Sequence, residues 1–128
     1  MKINLSKLRI GDQLIRTKGG SIKHYAVLAG VDKNGKYIVA ENQINRGVQY
    51  IYLDKFLSEG NLVEVQYNNY SVNEQVRIQN DIKGLLGTSY DLLAYNCEHF
   101  VNHVLTHKPV SYQVRTFGVV AVLCLGHL

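Results

Sequence analysis

Cys97 follows Asn96 directly and is succeeded by Phe100, Val101, Val104 and Leu105. Those apolar positions have the spacing of one buried helical face that starts at the cysteine. Asparagine is a favoured N-cap residue, so the thiol belongs in a first helical turn and faces inward. There, unpaired amides and the positive end of the helix dipole favour thiolate over thiol. The same residue also reads as a small buried hydrophobe, the commonest fate of a free cysteine. A base elsewhere in the chain must decide between the two.

A thiol nucleophile needs a base for its proton and a third group to orient that base. His24 opens a run of strand formers over residues 24–30, residues 32–35 have turn composition, and residues 36–42 read as the return strand of a hairpin. Both ends reach the same sheet edge, which brings His24 towards Glu41 and Asn42. Adjacent strand residues point to opposite faces, so only one of these two can serve. Asn42 is preferred, because a carboxamide oxygen accepting from the ring fixes its tautomer and leaves thiolate and imidazolium as the only charged pair. Glu41 is the alternative, and Asn42 then merely begins the turn into Gln43, Ile44 and Asn45.

His99 is turned about 200° from Cys97 on a helix, so it reads with Glu98 as hydrogen-bonding around the helix start. His103, His107 and His127 lack metal-ligand spacing, and the two cysteines, Cys97 and Cys124, form neither a metal motif nor a disulfide framework. No metal or cofactor is expected. The Cys97 amide is placed to stabilise an oxyanion on a carbonyl attacked by its own sulfur, which makes the chemistry acyl transfer through a thioester.

The elements that must position these groups are a short strand over residues 13–16, the hairpin, a strand over 47–53, a helical turn over 54–57 and a strand over 62–67. Ser71 and Glu74 form a capping box for a helix whose stripe is Val72, Val76, Ile82, Leu85 and Leu86, ended by Gly87. The cysteine helix closes before Pro109. The expected class is α+β, an antiparallel meandering sheet packed against helices.

With 128 residues, 46% hydrophobic and 19% charged, the chain suits one ordinary domain. Residues 1–116 are taken as that domain. Residues 117–128 are an apolar segment, read as a packed strand or helix or as a shortened membrane-proximal tail, since a helical span needs about twenty apolar residues. The net charge of +4 is scattered, which allows weak attraction to anionic membrane surfaces. No signal-like segment opens the chain, so a cytoplasmic setting with peripheral membrane contact is expected. The absence of a phosphate loop or a basic-aromatic pattern excludes nucleotide and nucleic-acid partners. Oligomeric state has no signature.

Three blocks resemble the lecithin:retinol acyltransferase-like proteins, a permuted branch of the papain-like cysteine hydrolases. His24-Tyr25-Ala26-Val27-Leu28-Ala29-Gly30 is similar to their H-W-A-x-Y-x-G strand. Asn96-Cys97-Glu98-His99-Phe100-Val101 is similar to their most distinctive block, and Ser111-Tyr112-Gln113-Val114 to the S-x-Q-V that follows. The resemblance implies Cys97 as nucleophile, His24 as base, a circularly permuted papain-like fold and a lipid (phospholipid) acyl-ester substrate, handled by an acyltransferase or a phospholipase-type hydrolase. Animal members carry a second histidine on the strand after the first. Here that strand runs Val39-Ala40-Glu41-Asn42, and bacterial-type members use Asn. Three functions stay in play: a lipid acyltransferase or esterase, a peptidase or amidase with the same dyad, and a non-catalytic interaction module.

Overall fold

The computed structural model describes residues 3–19 and 22–114. Five strands, β1 (Gln13–Gly19), β2 (Ile22–Val31), β3 (Tyr37–Gln43), β4 (Gly47–Tyr52) and β5 (Leu62–Gln66), form one antiparallel sheet of order β4-β3-β2-β1-β5. The first four meander, while β5 returns across the sheet to pair with β1. That return is made by α1 (Leu53–Ser58); α2 (Val72–Leu85) and α3 (Cys97–Thr106) complete the α+β fold.

Strand alternation gives the sheet two apolar faces. Val27, Ala29, Ala40 and Val48 pack with Ile78, Ile82, Phe100, Val101, Val104 and Leu105, so one face carries α2 and α3. Ala26, Leu28 and Val39 pack with Leu8, Leu14, Leu53, Phe56 and Val65, so the other carries α1 and the N-terminal segment. The α2 stripe differs from the sequence reading. Ile78 and Ile82, four residues apart, are the buried pair, whereas Val72 and Val76 are exposed. A helix turns about 100° per residue, which places Val76 nearly opposite Ile78. The apolar run after residue 116 lies outside the described residues.

Two irregularities set up the site. Gly30 pairs with Ile38 but Leu28 pairs with Val39, so Ala29 is an extra residue in β2 and the register shifts by one. Gly30, at φ 153°, takes up the bulge. Inward of it, Ala26 faces Glu41, and there the β2–β3 ladder ends, although β2 runs on to Ile22, paired among the described residues only with β1. Four residues at the start of β2 thus present an unpaired edge towards α3.

Gly47 fixes the approach of the α2–α3 connection to β4. Val48 N–H donates to the Thr88 carbonyl at 2.9 Å and Gly87 N–H to the Val48 carbonyl at 3.0 Å. Gly47 has φ 76°, and a Cβ there would sit on the Thr88 carbonyl oxygen, far inside contact distance. Gly47→Ala should therefore destabilise the fold by about 1–3 kcal/mol, read as a lowered midpoint in thermal or urea unfolding. An unchanged midpoint would show that this close approach is not maintained in solution.

Candidate active site

His24 lies on the same sheet face as Ala26, two residues along β2, and its ring stacks at a tilt on Phe56 of α1 with centroids 5.8 Å apart. Both the imidazole and Glu41 are fully buried, and His24 Nε2 meets Glu41 Oε1 at 2.8 Å. The remaining carboxylate oxygen accepts from Gln49 Nε2 at 2.8 Å, across the β3–β4 register that pairs the two residues. Arg16, paired with His24 across β1–β2, lies over the Phe56 ring on this face. Its centroid distance is 5.0 Å, and its Nη1 donates to the Thr17 and Glu59 carbonyls. Arg16, His24, Glu41 and Gln49 thus run as one polar row across four strands.

Cys97 enters from the opposite face. Asn96 caps α3: its Oδ1 accepts from the Glu98 and His99 amides at 2.9 and 3.0 Å, and its own N–H donates to His99 Nδ1 at 2.9 Å. That reciprocal capping box gives His99 the structural place read from the sequence. It leaves the Cys97 N–H without an acceptor among the described residues. Sγ lies 3.9 Å from the Lys23 carbonyl oxygen, and the Tyr25 N–H points to it. The thiol therefore fills the position that the missing β3 partner would hold along the unpaired edge of β2.

Gln113 fills the next position, its Oε1 accepting from Lys23 N–H at 2.8 Å. Glu98 Oε1 accepts from Ser111 Oγ and Gln113 N–H at 2.8 and 2.9 Å, and Asn96 Nδ2 donates to Ser111 Oγ at 3.1 Å. Glu98 is thus an anchor for the segment after α3, not the helix-start partner expected from its position. No local pattern in the sequence marks Ser111, Gln113, Arg16 or Gln49 as part of the site. The Ser111–Gln113 block stands out through the family resemblance alone.

The preference between the two β3 candidates is corrected. Asn42, also fully buried, points to the α3 face and donates through Nδ2 to the Tyr95 carbonyl at 2.8 Å, with a longer contact to the Asn96 carbonyl at 3.4 Å. It holds the chain entering α3 and does not reach His24. The Ala29 bulge is the physical reason. Continuing the register beyond Gly30 without it would set Asn42 opposite Ala26 and on the His24 face, and the extra residue puts Glu41 there instead.

Burial by itself pushes the Cys97 thiol up, but the adjacent His24 charge and hydrogen bond, the Tyr25 N–H and the Lys18 charge bring it below its ordinary value. Burial likewise pulls His24 down, and Cys97 and Glu41 outweigh it and raise the imidazole. Burial raises Glu41, whereas His24, Gln49 and Arg16 together hold it below the usual carboxylate value. With Nε2 taken by Glu41, Nδ1 has no oxygen or nitrogen partner among the described residues and is the nitrogen left for the thiol.

The sign of the pH dependence follows. A depressed thiol keeps its thiolate as pH falls below the free-thiol range, and a raised imidazole keeps its proton as pH climbs past the free-histidine range. Iodoacetamide should accordingly alkylate Cys97 well below pH of about 8.5, with His24→Ala moving the profile up towards that value. Superimposable profiles for the two proteins would mean that thiol and imidazole are not coupled.

A model of the lecithin retinol acyltransferase family matches residues 6–110, a span that includes His24, Glu41, Asn42 and Cys97. No curated protein sequence matches the chain. Among the described residues, no helix is long and apolar enough to cross a membrane. The family match covers most of the chain, and its span holds both the strand that bears the buried histidine and the helix that opens on the thiol. The chain belongs to the lecithin retinol acyltransferase family, a membership that suggests an acyltransferase or hydrolase type of activity.

Proposed function

We propose that the protein is a cysteine acyltransferase or esterase working through a thioester on Cys97, with His24 as general base and Glu41 as the group that orients it. The observation that supports this is the buried chain from Glu41 to His24, with a lowered thiol beside the imidazole. Thiolate attack on an ester carbonyl forms the C–S bond and puts negative charge on the carbonyl oxygen. The unengaged Cys97 N–H, at the positive end of α3, is available to that oxyanion. Collapse expels the alcohol, which takes the proton held on His24 Nδ1. A second alcohol, an amine or water then attacks the thioester while Nδ1 takes its proton, and the thiolate is regenerated.

Glu41 keeps Nε2 protonated throughout, so the proton in transit is always the one on Nδ1. Lipid acyl esters are the substrate class that family membership favours, and the net charge of +4 suits peripheral contact with an anionic membrane surface. A second reading, a thiol amidase with the same three side chains, is favoured by the polar cavity lined by Arg16, Lys18, Gln43 and Asn45, which the Arg16–His24 pairing sets next to the site.

Incubation with phospholipids, simple thioesters and peptides, followed by intact-mass spectrometry, should add one acyl group to the wild-type protein and none to Cys97→Ala. Turnover by a folded Cys97→Ala protein would end the covalent mechanism. Glu41→Gln should lower kcat by the equivalent of about 2–4 kcal/mol, while Asn42→Ala should act on thermal stability with kcat largely kept. The opposite ranking would remove Glu41 from the proposed triad.

A further inference from the structure

The acyl-transfer chemistry so far gives the developing oxyanion one donor, the Cys97 N–H. A carbonyl oxygen that gains a negative charge can accept more than one hydrogen bond, and each donor fixed in advance in a desolvated place lowers the barrier. Around the first turn of α3 most polar atoms are already committed. Asn96 caps the helix and donates to Ser111 Oγ, His99 takes the Asn96 N–H, and Glu98 takes Ser111 Oγ and the Gln113 N–H. The Gln113 carboxamide is half used. Its Oε1 accepts from Lys23 N–H at 2.8 Å, whereas no acceptor meets its Nε2 among the described residues, although the residue is only 9% exposed.

Two anchors fix where that amide lies. At its backbone end, Gln113 N–H is held by Glu98, the residue after Cys97 on α3. At the far end Oε1 sits on Lys23 N–H, and the carbonyl of that same Lys23 lies 3.9 Å from Sγ. The N–H and C=O of one residue in an extended strand point to the same side. The Gln113 amide and the thiol are therefore neighbours along one strand edge, over the N-terminal turn of α3. A carboxamide is planar, so holding Oε1 also restricts the direction of Nε2. Accepting from Lys23 polarises the amide and makes its N–H a stronger donor.

We propose that Gln113 Nε2 is a second oxyanion donor, acting with the Cys97 N–H on the carbonyl oxygen of the acyl group under attack. This role rests on the acyl-transfer reading above and deepens it. As the sulfur forms its bond to carbon, the carbonyl π pair moves onto oxygen, and Gln113 donates a hydrogen bond to it without giving up a proton. Collapse re-forms the C=O bond and breaks the bond to the leaving alcohol, which departs with the proton from His24 Nδ1. The same donor serves the second half of the reaction, when the thioester carbonyl is attacked in turn.

Two reactions of the same sulfur separate a role at the oxyanion from a role in holding the fold. Iodoacetamide reacts by displacement at a saturated carbon and forms no oxyanion, whereas p-nitrophenyl acetate acylates the thiol through one. With the full chain, at a pH where alkylation has reached its plateau and with Cys97→Ala as the blank, Gln113→Ala should be alkylated at the wild-type rate. Its acylation should be about a hundredfold slower, the effect of losing one oxyanion donor. Gln113→Glu returns an oxygen to Lys23 N–H but offers no N–H, so its acylation should stay slow. Recovery of acylation in Gln113→Glu would show that the bond to Lys23 alone matters and would overturn the proposal. Unchanged acylation in Gln113→Ala, or an equal loss in both reactions, also overturns it and leaves the thioester mechanism standing. A wild-type protein that is alkylated but never acylated removes the acyl-transfer reading itself, and the role of Gln113 with it.

Discussion

The contact between His24 Nε2 and Glu41 Oε1, 2.8 Å long and closed to solvent on both sides, is the interaction on which the rest of the site depends. A carboxylate with no exposed surface is costly unless its oxygens are hydrogen-bonded, and here each has a partner: His24 on one, Gln49 on the other. Removing either partner would leave a charge without compensation in a desolvated place. The bond also directs the imidazole, since a ring that donates from Nε2 can turn only Nδ1 towards the thiol. Arg16 on β1 adds a positive charge that favours the Glu41 carboxylate from beyond β2, and Phe56 closes the space beneath the ring.

Backbone geometry brings the thiol to that nitrogen. The β2–β3 ladder stops at Ala26 and Glu41, and the freed edge of β2 is taken up by Cys97 and Gln113. Such an edge would otherwise expose unpaired amides and carbonyls to chance pairing. The helix that brings Cys97 is held in turn by Asn42 on the Tyr95 carbonyl and by Ser111 and Gln113 on Glu98. The two faces of the sheet divide the positioning: α1 covers His24 and Glu41, and α3 brings Cys97 through the gap between strands.

The parts of this arrangement that depend on local chemistry could be read from the sequence. Asn96 marked the helix start, the spacing from Cys97 to Leu105 marked its buried face, and strand composition around residues 24–30 and 36–42 marked the hairpin. The rule that Glu41 and Asn42 face opposite ways also holds. What could not be read is which of them faces His24, because that depends on a single extra residue at Ala29, and only Gly30 hints at a bulge. Gln49 and Arg16 were hidden for the same reason. Their roles are set by cross-strand register, a pairing between distant segments that no local pattern encodes.

The central claim is that Cys97 and His24 rest as a thiolate–imidazolium pair steadied by Glu41. Nitrogen-15 NMR of the imidazole rings reads it directly, because ring-nitrogen shifts distinguish the imidazolium from either neutral tautomer. The account predicts both His24 nitrogens protonated at neutral pH in the wild type, with Cys97→Ala lowering the pH at which the ring loses a proton. A neutral His24 ring at pH 7 that titrates identically in the wild type and in Cys97→Ala would contradict it.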